Sequence, residues 1–256
     1  MEVDWSAFSA ADVLALADTV ARVGRELTRV VPAPRGAPLF GLDMSLADPY
    51  LLDRFSRHGI FRKYQRAIAL GSGLGGVQRW WAVHFGCSVL SVDPQEGVIA
   101  AAQRLGAPTG LGERTTFRAA PLDNLPLRGE QFTHAWSVEG LATHGDPPTV
   151  LREALRVLRP AGLLTVVLPG TVVDDPGIAG WTTAVADAGF GGIAVKPLLP
   201  PELSYTVYYA EHVLRAALVE AFTGERRARV LALAAQLAAA RSSRVPRVLL
   251  FAERPS

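Results

Sequence analysis

The chain has 256 residues, 49% of them hydrophobic, with 26 basic against 24 acidic side chains and a single cysteine, Cys87. That length builds one sizeable α/β domain with additions and excludes two comfortable enzyme domains. The near balance of charge excludes the basic excess of a nucleic-acid binder, and one cysteine excludes an internal disulfide or a cysteine-based metal site.

In chain order, residues 5–30 place apolar side chains at helical spacing until Pro32, Pro34 and Pro38 stop the pattern. Residues 1–40 therefore read as a leading helix and linker outside the core unit, and 41–256 as the main domain. The segment 41–63 is expected to be helical in part and to pack over a ligand mouth. Strands and helices then alternate: strand 67–70, helix 75–85, strand 87–92, helix 95–105, strands 115–120 and 132–138, helix 147–158, strand 163–168. Such alternation predicts a parallel sheet covered by helices on both faces. Pro160 and Gly162 separate the last of these helices from its strand. A helix over 177–188 follows, then an apolar stretch ending in Pro197. Two helices near 202–221 and 225–240 form an insertion at about 201–243, and a closing strand spans 245–252. The N-terminus is acidic and mixed, and the alanine-rich stretch 229–240 is broken by Gln236 and bounded by arginines. Neither reads as a signal or a span, so the expectation is a cytoplasmic protein with no membrane partner.

The chemistry concentrates where strand 67–70 breaks into Gly71-Ser-Gly-Leu-Gly-Gly76, with Asp93 closing the next strand. Glycine permits a sharp turn and close approach of a ligand, while the following helix offers free N–H groups to an anion. An acid about 20 residues later is a natural acceptor for ribose hydroxyls. Gly71, Gly73 and Gly76 fit a dinucleotide spacing; Gly71, Gly73 and Gly75 fit the G-x-G-x-G of methyltransferases.

Further residues extend this set: Phe85-Gly-Cys-Ser-Val-Leu-Ser-Val-Asp93, Leu125-Pro126, Phe132 with Trp136, and Leu151-Arg-Glu-Ala-Leu-Arg-Val-Leu-Arg-Pro-Ala-Gly162. Together they resemble the class I S-adenosylmethionine-dependent methyltransferases, small-molecule branch, especially the quinone-biosynthesis C-methyltransferases and sarcosine/dimethylglycine N-methyltransferases. The likeness covers residues 40–170 and, more loosely, the closing strand. It implies a Rossmann-like seven-stranded sheet with an antiparallel last strand, S-adenosyl-L-methionine as cofactor, and a small-molecule acceptor; it is compatible with a homodimer. Against a short-chain dehydrogenase, the chain has no tyrosine between Tyr64 and Tyr205 and no lysine between Lys63 and Lys196, so a Tyr-x-x-x-Lys pair is absent.

Carried over by residue, the resemblance implies that Gly71, Ser72, Gly73 and Gly75 face the methionine part of the cofactor and that Asp93 holds its ribose. Pro94, Gln95, Leu122 and Asp123 border the adenine, and Ser137 and Val138 lie near the methyl end. Two positions depart from the family: Ala69 replaces an acid two residues before the first glycine, and Pro121 replaces an aspartate near the adenine. Each lost charge-assisted bond, about 1.5–3 kcal/mol, weakens the cofactor by roughly one to two powers of ten. A degenerate relative acting as a binding or structural partner, and non-methylating chemistry in the same pocket, are the alternative readings. Candidate bases are Glu139 and His144, with His134, His58 and Tyr50 in reserve; no metal site is expected. Trp80 and Trp81 read as core, with His84 beside them packed or half-exposed. Tyr205, Tyr208, Tyr209 and His212 form either a packed helix face or an acceptor pocket, and the packed face is favoured.

Overall fold

Strand β1 (Arg66–Leu70) is buried on both faces, and its two faces are built differently. Ile68 and Leu70 enter one core, while Ala67 and Ala69 leave room on the other face for Trp80, Trp81 and Trp136. The computed structural model describes residues 3–33, 39–45, 52–53, 64–138, 140–143, 146–172, 174–198 and 203–256. Around β1 the sheet contains β2 (Ser88–Asp93), β3 (Thr115–Ala119), β4 (Phe132–Val138), β5 (Leu158–Pro169), β6 (Gly191–Leu198) and β7 (Arg247–Glu253). Their order is β3-β2-β1-β4-β5-β7-β6, with β7 antiparallel to both of its neighbours and the other pairs parallel. The seven-stranded, mostly parallel sheet expected from sequence is thus present.

The helices are α1 (Ala10–Thr28), α2 (Gly76–Phe85), α3 (Glu96–Gly106), α4 (Pro147–Val157), α5 (Pro176–Asp187), α6 (Tyr205–Ala221) and α7 (Gly224–Ser242). Leu151, Ala154 and Val157 of α4 and Ile178 and Val185 of α5 cover one face of the sheet. Helix α2 covers the other face through Val77, Trp80 and Trp81, the last 3.8 Å from Trp136 between ring centroids. A further core lies beside the sheet, where Val13, Leu16, Val20 and Leu27 of α1 meet Leu105 of α3, Leu214 of α6 and Leu233 of α7. These α1 positions recur at helical spacing. Ser9 caps α1 through Asp12 N, and the buried Asp12 carboxylate accepts from Arg229 of α7 at 2.9 Å. The leading helix is therefore tied directly to the insertion.

Two elements differ from the sequence expectation. Strand β5 begins at Leu158, with no loop after α4. Leu158 pairs with Phe132 and Leu163 with His134, so Pro160, Ala161 and Gly162 form a bulge within the strand instead of a connection before it. Ala161 takes φ +59°, and its N–H and the Gly162 carbonyl pair with the Arg254 backbone beyond β7. Hydrogen bonds across the sheet thus override the Pro-Ala-Gly breaker signal. The apolar stretch before Pro197 becomes the seventh strand, β6, at the sheet edge, where proline costs no interior ladder bond.

The 151–162 motif has a structural task. Glu153 on α4 accepts from Leu125 N at 2.8 Å and from Arg156 at 2.6 and 2.7 Å, while Arg156 donates to the carbonyls of Leu125 and Leu127. The pair fastens the Leu125-Pro126 loop to the helix. The Arg156 guanidinium holds the Glu153 carboxyl below its ordinary range. A depressed carboxyl stabilises the fold above its unfolded value and loses that contribution as pH falls through its folded value. Glu153→Gln is expected to cost about 1 kcal/mol at pH 7, limited by the part exposure of Arg156, with the cost shrinking as pH falls below the unfolded carboxyl value of about 4.3 and through the lower folded one. Urea denaturation across this range checks it; a gap independent of pH would refute the assignment.

Candidate functional site

The chain leaves β1 toward one edge of the sheet and leaves β4 toward the other, so a cleft opens between their carboxyl ends. The backbones there meet without intervening side chains. A Cβ on Gly71 would stand 2.7 Å from Gly140 Cα, and one on Gly140 would stand 2.5 Å from Gly71 O. Gly71, Gly73 and Gly75 have φ of +68°, +52° and +76°, so the turn after β1 is made from left-handed glycines. Gly71 N and Ser72 N donate to the Val92 carbonyl, drawing this turn against the end of β2.

Asp93 sits at that end, buried. Its Oδ2 accepts from Gly73 N and its Oδ1 from Gln95 N, both at 3.1 Å. Two backbone donors hold the carboxylate in place, and a carboxylate so oriented on the cavity wall is chemically suited to accept from a ligand hydroxyl.

A cavity of about 380 Å³ opens over this turn, within the range of small-molecule sites. Gly71, Ser72, Gly73, Asp93, Pro94, Gln95 and Val138 line it. Gly75 instead caps α2 and packs closely against Phe117. Leu122 lies in the core and Asp123 is exposed, neither of them on the cavity wall. Ser137 is buried just behind it, accepting from Leu141 N at 2.9 Å. Glu139, His144, Tyr50 and His58 lie outside the described residues. His134 is buried within the sheet beside Thr133, and His84 is exposed and stacks on Trp80 at 4.6 Å. The favoured packed face of tyrosines is corrected: Tyr205 and Tyr208 are 81% and 66% exposed, and none of the three lines the cavity. Helix α6 packs instead through Val207, Ala210, Leu214 and Leu218.

Of the remaining walls, residues 43–45 agree with the expectation that the 41–63 segment packs over a ligand mouth, and the others were not legible from motifs. Val3, Asp4, Trp5 and Ser6 reach the cavity from the N-terminal turn, Asp43, Met44 and Ser45 from the segment after Gly41, and Gln78 from the first turn of α2. Trp5 lies over the loop, its ring 3.7 Å from where a Cβ on Gly73 would stand. Asp43 accepts from Arg79 at 2.6 Å with both side chains buried; Arg79 also donates to the carbonyls of Leu74 and Ala102. Arg241 of α7, equally buried, pairs with Glu211 at 2.7 Å and donates to the carbonyls of Leu42 and Met44. Two buried guanidiniums therefore fix the 42–44 wall, one from the glycine-loop helix and one from the insertion. Sequence separations of 36 and 199 residues hide such pairs from any local reading.

The residues suit a nucleoside with a charged amino-acid tail. Ser72 Oγ and Gln78 Oε1 are buried on the wall without a hydrogen-bond partner among the described residues. The lining contains Asp4, Asp43 and Asp93 and, among the described residues, no Lys, Arg or His, so nothing there repels a sulfonium.

Fold, glycine turn and acid together make a Rossmann-like cleft of the kind that holds a nucleoside. Residues 68–166, about two fifths of the chain, match the methyltransferase domain family. Methyltransferase GfsG of Streptomyces halstedii is 30% identical over 112 residues, which is 43% of this chain and 40% of that protein. The glycine/sarcosine/dimethylglycine N-methyltransferase of Actinopolyspora halophila is 29% identical over 97 residues, 38% of this chain and 17% of that one. The matched region thus spans two fifths or less of these relatives' length. Among solved structures, the (4+2) cyclase SpnF shares the fold with a TM-score of 0.60 at 20% identity, covering 80% of this chain and 81% of that one. Phosphoethanolamine N-methyltransferase 2 of Haemonchus contortus, solved with S-adenosyl-L-methionine, shares it with a TM-score of 0.58 at 15% identity, covering 91% and 60%.

Breaking the Asp43–Arg79 pair leaves a buried cation unpaired. Asp43→Ala is expected to cost about 3–5 kcal/mol of unfolding free energy, against less than about 0.5 kcal/mol for Glu26→Gln at the exposed Arg22–Glu26 pair. Denaturant titration of both variants measures the contrast, and similar losses at the two sites would contradict it.

Proposed function

We propose that the protein is an S-adenosyl-L-methionine-dependent methyltransferase acting on an oxygen, nitrogen or carbon atom of a small molecule. The observation that carries this reading is the buried Asp93 carboxylate, held by Gly73 N and Gln95 N on the wall of the cavity over the glycine turn. The bound cofactor supplies an electrophilic methyl group on a sulfonium. Asp93 accepts from the ribose hydroxyls, and the glycine turn lets the backbone approach the ligand closely. Trp5 and Met44 add apolar surface to the cavity wall. Since methyl transfer is an in-line displacement, most of the protein's contribution is positioning of the acceptor.

Where the acceptor is protonated, a base is needed, and Glu139 and His144, which follow β4 in sequence, are the residues proposed for it. Ser137 is proposed to shape the methyl end from behind the wall, and Leu122 and Asp123 to border the adenine. Residues 41–256, with the insertion at about 201–243, are taken as the cofactor-binding domain, and 1–40 as its N-terminal helix and linker. Helix α1 packs on α7, and Trp5 and Ser6 of the leading turn line the cavity, so this segment works together with the domain. The single Cys87 supports a reducing, cytoplasmic location; burial pushes its thiol up to about 11, leaving it inert at neutral pH.

Titration calorimetry with S-adenosylhomocysteine tests the reading. The wild-type protein is expected to bind, and Asp93→Ala to bind about 10- to 100-fold more weakly through loss of charge-assisted bonds. A wild-type protein that shows no binding at millimolar ligand would remove the proposal. Binding without methyl transfer to any small oxygen, nitrogen or carbon acceptor would favour a ligand-binding partner.

A further inference from the structure

We infer that Gln78, with Ser72, recognises the zwitterionic amino-acid end of the cofactor, an assignment that rests on the methyltransferase reading. Gln78 is 5% exposed and Ser72 8%, both line the cavity, and Gln78 Oε1 and Ser72 Oγ have no hydrogen-bond partner among the described residues. Buried acceptors are costly to leave without a donor, so two on one wall point to a ligand that brings its own.

The chemistry of that ligand group follows from the rest of the wall. An amide oxygen accepts from an ammonium, and a hydroxyl donates to a carboxylate while also being able to accept. Among the described residues the lining supplies no cation for a ligand carboxylate. A group bearing both charges, matched by a neutral acceptor and a neutral donor, satisfies the pair without burying a net charge.

Neighbouring residues leave this task to Gln78. Ala69, at the end of β1, is buried and contributes only a methyl group; its register partner is Trp136, and both lie in the core with Trp81. Asp43 spends its Oδ2 on Arg79. Asp93 is fixed by Gly73 N and Gln95 N across the turn. Gln78 reaches the cavity from the first turn of α2, directly after the glycines, on the same wall as Asp43 and Met44.

The discriminating experiment compares two probes by titration calorimetry: S-adenosylhomocysteine, and 5′-methylthioadenosine, which keeps the nucleoside and sulfur but lacks the amino-acid end. Gln78→Leu is expected to weaken S-adenosylhomocysteine about tenfold and methylthioadenosine less than about twofold. Gln78→Glu, which keeps an acceptor, is expected to stay within about threefold of wild type on both probes. Ser72→Ala should show the same selectivity as Gln78→Leu, and it carries the test if the leucine variant fails to fold. Equal losses on both probes, or unchanged affinity for S-adenosylhomocysteine, would overturn the inference. A wild-type protein that binds neither probe would instead overturn the cofactor reading and this inference with it.

Discussion

The approach of Gly71 to Gly140 is the constraint on which the rest of the site depends. Two backbones emerge from β1 and β4 at the point where the sheet reverses its winding, and they meet with no room for a side chain on either. This contact sets the floor of the cleft. From it the turn runs through left-handed glycines to the Gly75 cap of α2, and the Val92 carbonyl draws the same turn against β2. Asp93 comes to the cavity because the parallel register of β1 and β2 ends both strands at the same level. A ligand site at the carboxyl ends of parallel strands is thus a product of sheet geometry before any side chain is chosen.

Around this floor the walls are held by buried charge. Arg79 and Arg241 are among the most deeply buried side chains of the protein, and both spend donors on the segment carrying Asp43 and Met44. A buried ion pair contributes little net stability, but losing one member is severe, so such pairs act chiefly to specify one arrangement. Here the arrangement joins three parts far apart in the chain: the segment after Gly41, the glycine-loop helix and the helix preceding the last strand. Asp12 with Arg229 does the same for α1. The insertion and the leading helix are consequently parts of the cavity's support.

Much of the architecture was legible because it rests on local signals. Short apolar runs placed β1, β2 and β4, helical spacing with proline stops placed the leading helix, and the glycine turn with its acid placed the cleft. The failures have a common cause. Pro160 and Gly162 are local breakers, yet they sit in a bulge whose backbone groups find partners on Arg254, far away in sequence. The tyrosines of α6 form an apolar-looking group by spacing, but the helix is rotated so that Val207, Ala210 and Leu214 pack and the tyrosines face outward. Rotation of a helix about its axis is decided by what it packs against.

By itself, the sequence determined the class of sheet, the place of the cleft and the residues on its floor, because strand periodicity, left-handed glycines and a strand-ending acid are properties of short stretches of chain. Tertiary structure alone decided which polar groups meet in the cavity. Gln78 is one of three polar residues in α2, with Arg79 and His84, until the fold buries its amide oxygen on the wall without a partner among the described residues. Asp43 is an ordinary acid until Arg79 reaches it. Ala69 lacks the acid the family carries there, and the fold shows Trp136 as its neighbour across the sheet. Burial and pairing depend on contacts between residues tens to hundreds of positions apart, and no local pattern encodes them.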